Sequence, residues 1–398
     1  MDPRRNPYTP NAGARPPALV GRDEQLEAFD ILLHRLELGR PQQSMIVTGL
    51  RGVGKTVLLG AFRDKAMERR WLTVEAEVSK NSDFADRMSR HVRRALLGIS
   101  PAEKWKERAR SAAEALKSFS LTFSPDGSVA TGFTAQASPG RADSGDLAKD
   151  LTDLFVALGE AAREGDTGIV FLFDEVQYFS VQEFEALIAA LHKTVQRALP
   201  ITLVAAGLPQ IPKLAGEAKS YSERLFTFPV IGKLGQEDAA AALVLPAEEE
   251  GAAFESAAVA AIVDYTGGYP YFIQEFGKII WDQATDSAIT VEDALNATPL
   301  VEDKLDESFF RVRAERTTPL ELQYMRAMAE LGPGAQKAGE VADLLGRTSE
   351  QLGPTRSSLI EKGLLYTPSH GYAAFTVPQF DRYMKRNHPL DPPPVRRR

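Results

Sequence analysis

The run Gly49-Leu50-Arg51-Gly52-Val53-Gly54-Lys55-Thr56 fits the pattern G-x-x-x-x-G-K-[ST]. Met45-Ile46-Val47-Thr48 precedes it and reads as a buried strand; Val57-Leu58-Leu59-Gly60-Ala61-Phe62 follows and reads as the start of a helix. Strand, glycine-rich turn and helix in that order are the context that gives the pattern meaning. The glycines let backbone N–H groups from Gly49 through Gly54 curl around an anion, and the helix N-terminus adds the positive end of its dipole. Lys55 is expected to reach the β- and γ-phosphates of a nucleotide, and the Thr56 hydroxyl to ligate Mg²⁺.

The 398 residues suffice for two or three domains, and the balance of 43% hydrophobic to 25% charged residues is that of a soluble globular protein. The apolar runs are too short to span a bilayer, no signal-peptide pattern precedes the first charges, and no membrane role is expected. The absence of cysteine excludes disulfides and thiolate metal sites and suits a cytoplasmic location. His34, His91, His192, His370 and His388 have no paired spacing, which argues against a histidine metal centre. A net charge of −7 argues against a surface that coats nucleic acid everywhere. Residues 318–398 nevertheless carry 11 Lys+Arg against 8 Asp+Glu, which permits a local basic patch.

Residues 1–17, rich in Pro, Arg and Asn and without periodicity, read as an extended N-terminal arm. Ala18-Leu19-Val20-Gly21-Arg22-Asp23 leads into a helix with Leu26, Phe29, Leu33 and Leu36 on one face. Residues 18–235 read as an α/β core: Leu72-Thr73-Val74-Glu75-Ala76-Glu77-Val78, Ile169-Val170-Phe171-Leu172-Phe173 and Ile201-Thr202-Leu203-Val204-Ala205-Ala206-Gly207 are further strands, separated by amphipathic helices. Within the core, 100–143 reads as an insertion. Its Phe119, Leu121 and Phe123 alternate with polar residues before Pro125-Asp126-Gly127, and Val129, Thr131 and Phe133 alternate after it, the pattern of a β-hairpin. From 236 to 317 the strand signal gives way to alanine-rich helices, an all-helical lid. Residues 318–388 show three helices followed by two strands, the order of a winged helix-turn-helix, with 349–362 in the recognition position; 389–398 is a Pro/Arg tail.

Asp174-Glu175 ends the most apolar strand. There Asp174 is expected to hold Mg²⁺ and Glu175 to polarise a water against the γ-phosphate. Arg224, after the last core strand, either reaches the γ-phosphate of a neighbouring subunit or forms a surface ion pair. Gly267-Gly268-Tyr269-Pro270 either brings backbone close to a ligand at Pro270 or simply starts a helix. The 349–362 helix carries only Arg356 and Lys362 as basic residues, opposed by Glu350 and Glu361. Arg347, Lys337, Arg382, Lys385 and Arg386 lie nearby for phosphates. Duplex DNA and a protein partner both remain open for this domain.

Taken together, the Val20-Gly21-Arg22-Asp23 lead-in, Gly49 to Thr56, Asp174-Glu175 and the box around Arg224 resemble the AAA+/STAND side of the P-loop ATPases, with the nearest look to bacterial ATPases carrying an origin-recognition-type domain. The resemblance covers roughly 18–388 and implies a parallel P-loop sheet, ATP and Mg²⁺ as ligands, a lid and a winged helix. It places Val20 and Gly21 beside the adenine, and it admits a homo-oligomer in which Arg224 acts in trans. Two departures accompany it. Ala205-Ala206-Gly207-Leu208-Pro209 lacks the polar residue that AAA+ proteins carry at that strand end. Gly268-Tyr269-Pro270 stands where origin-type proteins have an arginine, and is similar to the Gly-x-Pro element of STAND ATPases. The expected behaviour is a slow ATPase used as a nucleotide switch; the rivals are a non-catalytic DNA-binding regulator and a signalling scaffold that oligomerises on ATP.

Overall fold

Five parallel strands form the centre of the molecule: β1 (Ser44–Thr48), β2 (Leu72–Glu77), β3 (Ile169–Asp174), β4 (Ile201–Gly207) and β5 (Phe226–Thr227), in the order β2-β3-β4-β1-β5. This computed structural model describes residues 1–390 apart from 80–82, 101–103, 124–136, 138, 139 and 141. The continuous apolar run in β3 is explained by its two faces. Ile169, Phe171 and Phe173 enter the core on one side, Val170 and Leu172 the core on the other, and all five are buried. The first side is covered by α3 (Phe84–Ile99), α4 (Glu107–Phe123), α5 (Leu147–Glu164) and α6 (Val181–Gln196); the second by α1 (Asp23–Glu37) and α2 (Lys55–Glu68). Two shorter helices, α7 (Ile211–Ala218) and α8 (Ser222–Leu225), connect β4 to β5.

The hairpin expected across 119–133 is not what its first half forms: residues through 123 belong to α4. Phe119 and Phe123 are one helical turn apart and touch, with ring centroids at 4.9 Å, while Leu121 faces solvent. Three apolar residues at a spacing of two fit a strand, but the outer two also fit i and i+4. The second half of the expected hairpin lies outside the described residues.

The lid contains α9 (Gln236–Glu249), α10 (Ser256–Thr266), α11 (Pro270–Gln283) and α12 (Val291–Leu305). It is not wholly helical: β6 (Ala253–Phe254) and β7 (Ala288–Ile289) pair in parallel. A π-helical turn, Asp306–Phe310, leads into the short α13 (Arg311–Ala314). The C-terminal unit has α14 (Pro319–Leu331), α15 (Ala338–Leu344) and α16 (Ser349–Glu361). Its three-stranded antiparallel sheet is made of β8 (Gln336–Lys337), β9 (Leu365–Tyr366) and β10 (Tyr372–Phe375) in the order β8-β10-β9, and α17 (Phe380–Asn387) follows. Lid and C-terminal unit share one apolar core, which also takes in Tyr8 of the N-terminal arm. No described helix is long and apolar enough to cross a membrane.

Candidate nucleotide-binding site

The loop after β1 and the tip of β3 meet at the C-terminal edge of the sheet, because β4 alone separates the two strands. Gly54 caps α2 at φ +92°, a conformation that costs little only without a Cβ, and the chain turns there so that Lys55 opens the helix. Lys55 is buried; its ammonium donates to the carbonyls of Gly49 at 3.0 Å and Leu50 at 2.8 Å. Burial pushes its pKa down to about 8, against the opposing pull of Glu175 and Asp174.

Thr56 Oγ1 donates to Asp174 Oδ2 at 2.5 Å, so the hydroxyl and the carboxylate stand side by side. Burial raises the Asp174 pKa, and the Thr56 bond works in the other direction. One hydroxyl and one carboxylate are a donor set suited to Mg²⁺, which keeps most of its shell for water and phosphate. Among the described residues no cluster of three His, Cys, Asp or Glu forms a fuller protein cage. Glu175 follows at φ +56°, an uncommon conformation for a residue with a Cβ. Its carboxylate meets Arg51 Nη1 at 3.4 Å and accepts from the Gln177 amide. Gln177 Oε1 in turn accepts from Leu208 N at 3.2 Å, so this amide links Glu175 to the chain just beyond β4, where the sequence offers no polar side chain of its own.

A cavity of about 400 Å³ opens over these groups. It is lined by Arg51 through Thr56, Glu175, Val20, Pro270 and much of the arm between residues 9 and 19. Of the residues singled out from sequence, Arg51, Gly52, Val53, Gly54, Lys55, Thr56, Glu175, Val20 and Pro270 thus share one cavity, with Asp174 bonded to its wall. Gly49 and Leu50 sit behind it as the acceptors of Lys55. Gly21 adjoins Arg22, a buried guanidinium that donates to the carbonyls of Gly21, Val53 and Gly232 and so ties the lead-in to the loop. Arg224 lies apart: it is exposed on α8 and does not line the cavity.

Several cavity residues carried no recognisable sequence signal. The π-helical turn brings Ser308 and Phe309 to the cavity, and Phe309 stacks on Tyr271 at 4.8 Å. Arg313 follows one turn later with its guanidinium 4.1 Å from the Phe309 ring centre. Burial brings the Arg313 pKa down to about 10, and the nearby Arg51 charge acts in the same sense. The lid also touches the loop directly, Tyr271 N donating to Gly52 O at 3.2 Å. On the other side, Arg51 N donates to Thr376 O of the C-terminal unit at 2.9 Å, and its Nη2 reaches Tyr178 Oη at 3.2 Å.

These observations define a P-loop nucleotide site built on a parallel sheet. Residues 18–204 match the AAA ATPase domain family, and residues 307–384 match a domain family of unknown function. The chain therefore carries an AAA-type ATPase domain followed by a helical C-terminal region. No protein of curated function matches the sequence. Among solved structures, the Walker-type ATPase of Pyrococcus abyssi is similar at a TM-score of 0.55 and 16% identity, over 93% of this chain and 97% of that one. Cdc6p from Pyrobaculum aerophilum is similar at 0.47 and 16%, over 97% of each chain. The RuvB Holliday junction branch migration motor of Thermotoga maritima is similar at 0.45 and 15%, over 95% of this chain and 100% of that one.

Proposed function

We propose that this protein is an ATP- and Mg²⁺-dependent ATPase that works as a slow nucleotide switch, with a C-terminal winged-helix unit as its output. The observation that carries this reading is the position of Arg51. Its backbone N–H is bonded to Thr376 of the C-terminal unit while its guanidinium faces Glu175. A change at the γ-phosphate is thereby one residue away from the contact that seats the output domain.

In this mechanism Lys55 leaves the carbonyls of Gly49 and Leu50 for the β- and γ-phosphates. Thr56 and Asp174 would hold Mg²⁺, which would supply neutralisation of phosphate charge. Glu175 accepts the proton of the attacking water, for which it must first give up Arg51 and Gln177. That prior engagement supports a low basal rate. Arg313 supplies a second cation to the triphosphate from the same chain, and the exposure of Arg224 outside the cavity supports a role toward a neighbouring copy. The buried Lys55 ammonium at the loop supports an anionic ligand such as a triphosphate over a bare metal ion.

The output surface favours a partner other than a base-reading contact. Arg356 of α16 donates to Tyr372 O at 2.5 Å and to Thr367 Oγ1 at 3.2 Å, and Lys362 donates to Glu321 Oε2 at 2.6 Å. Arg386 is paired with Glu302 and Asp306. Three of the seven basic residues expected to meet duplex DNA, Arg356, Lys362 and Arg386, are thus engaged within the protein. Lys55→Ala is expected to abolish ATP binding in a titration, and unchanged affinity would refute the site. Size-exclusion of wild type and Arg224→Ala, each with and without ATP, tests the homo-oligomer: loss of an ATP-dependent larger species in the variant supports a trans role. Failure to bind any duplex, even at low salt, would count against a DNA output. Fractionation of producing cells, with the protein in the soluble cytoplasmic fraction, tests its location.

A further inference from the structure

The arm that the sequence presents as featureless is, in the fold, pinned at both ends and laid across the nucleotide cavity. Tyr8 is 2% exposed in the lid core, and its hydroxyl donates to Leu243 O at 2.5 Å. Its ring lies against Gly277 so closely that a Cβ on that residue would stand 2.5 Å from the ring, so only glycine leaves room for it. Around this socket the Trp281 indole donates to Asp2 O at 3.0 Å. Asn6 donates to Lys278 O at 2.9 Å and to Asp282 at 2.8 Å, and the N-terminal ammonium meets Ala284 O. At the far end Arg15 pairs with Asp64 of α2 at 3.0 Å, and the chain then enters the lead-in held by Arg22.

Between the two anchors Thr9 N donates to Gln274 Oε1 at 3.1 Å. Gly13 passes directly over the P-loop threonine: a Cβ there would stand 3.2 Å from Thr56 Cγ2. Residues 9–14 and 16 form one wall of the cavity. The seven Cα–Cα steps from Tyr8 to Arg15 reach roughly 25 Å at full extension, so the segment cannot swing clear while both ends hold. Of the two anchors, the exposed Arg15–Asp64 pair is the weaker, and the buried Tyr8 is the stronger.

We propose that the N-terminal arm is a working part of the nucleotide site, a strap seated in the lid by Tyr8 whose residues 9–16 wall the bound nucleotide in and set how fast it exchanges. This inference rests on the reading of the cavity as an ATP site. Because the strap joins the lid at Tyr8 to α2 at Asp64, it also ties lid position to access.

The test is stopped-flow release of a fluorescent ATP analogue, chased with excess ATP, from the full chain. Tyr8→Ala is expected to release it at least tenfold faster. Gly277→Val, which blocks the socket from the lid side and lies outside the cavity wall, is expected to do the same, and Tyr8→Phe to stay within about threefold of wild type. Release within twofold of wild type in both Tyr8→Ala and Gly277→Val overturns the strap while leaving the ATP site standing. No binding by wild type overturns both. A measurement on the unaltered chain guards against misfolded variants: amide hydrogen exchange over residues 9–14 is expected to slow at least fivefold in saturating ATP, and exchange indifferent to ATP refutes the strap.

Discussion

The buried Lys55 ammonium makes ATP affinity depend on pH in a defined direction. Burial brings its pKa down to about 8 from the ordinary lysine value of 10.5. A gap of that size corresponds to roughly 3 kcal/mol of differential interaction between the charged and neutral forms. The nucleotide's phosphates favour the ammonium, so binding above pH 8 must take up a proton. At pH 7 the free protein is already charged and no uptake is needed; at pH 9 only about a tenth of it is, and affinity falls roughly tenfold. The sign for stability is opposite. Between about pH 8 and 10.5 the unfolded chain holds the proton more tightly than the folded one, so this group makes the nucleotide-free protein more stable as pH rises through that window. Calorimetric titration of ATP at pH 7.5, 8.5 and 9.0, in buffers of different ionisation enthalpy, reads both the affinity and the protons taken up. Lys55→Arg, whose cation stays charged throughout, should bind more weakly but with a flat profile. A flat profile in wild type, with no net proton uptake at pH 9, would refute the buried-ammonium account.

Glu175→Gln should lower phosphate release by about 100-fold or more while leaving ATP affinity within a few-fold, since it removes a proton acceptor and not a phosphate contact; turnover equal to wild type would favour the non-catalytic rival. Arg313→Ala should weaken ATP binding by about tenfold, read by the same titration, through loss of a half-buried cation at the cavity. Phe171→Ala, in the strand beneath the site, should cost about 3–5 kcal/mol in denaturant unfolding, because a fully buried ring is removed from a close-packed layer. Arg51→Ala should raise basal turnover several-fold by freeing Glu175, and slower turnover would show instead that the arginine helps catalysis directly.

The strands and the phosphate loop were legible because their signals are local: an unbroken apolar run in Ile169 to Phe173, and glycines at fixed spacing before Lys55. The acidic pair was legible for the same reason. What escaped detection depends on residues far apart in the chain. Tyr8 gains its meaning from Gly277, and nothing near Arg313 marks it as a cavity residue until the π-helical turn sets its direction. The misread strand at Phe119 shows the other limit. A period of two and a spacing of i, i+4 share the same pair of phenylalanines, and the choice was made by packing of Ala112, Ala113 and Leu116 against neighbouring helices. Gln177 escaped notice because its role is to join a carboxylate to a strand end that lacks its own side chain for the purpose.

The placement of β1 between β4 and β5 has a consequence during synthesis. Met45 sits opposite Val204, and Ser44 opposite Phe226, so this strand finds neither of its partners until β4 and β5 have also been made. The apolar strand that leads into the phosphate loop must then travel unpaired for that interval, and non-local pairing of this kind closes slowly. Nascent chains halted before residue 201 should accordingly be captured by holdase chaperones, and those halted after 227 should escape them.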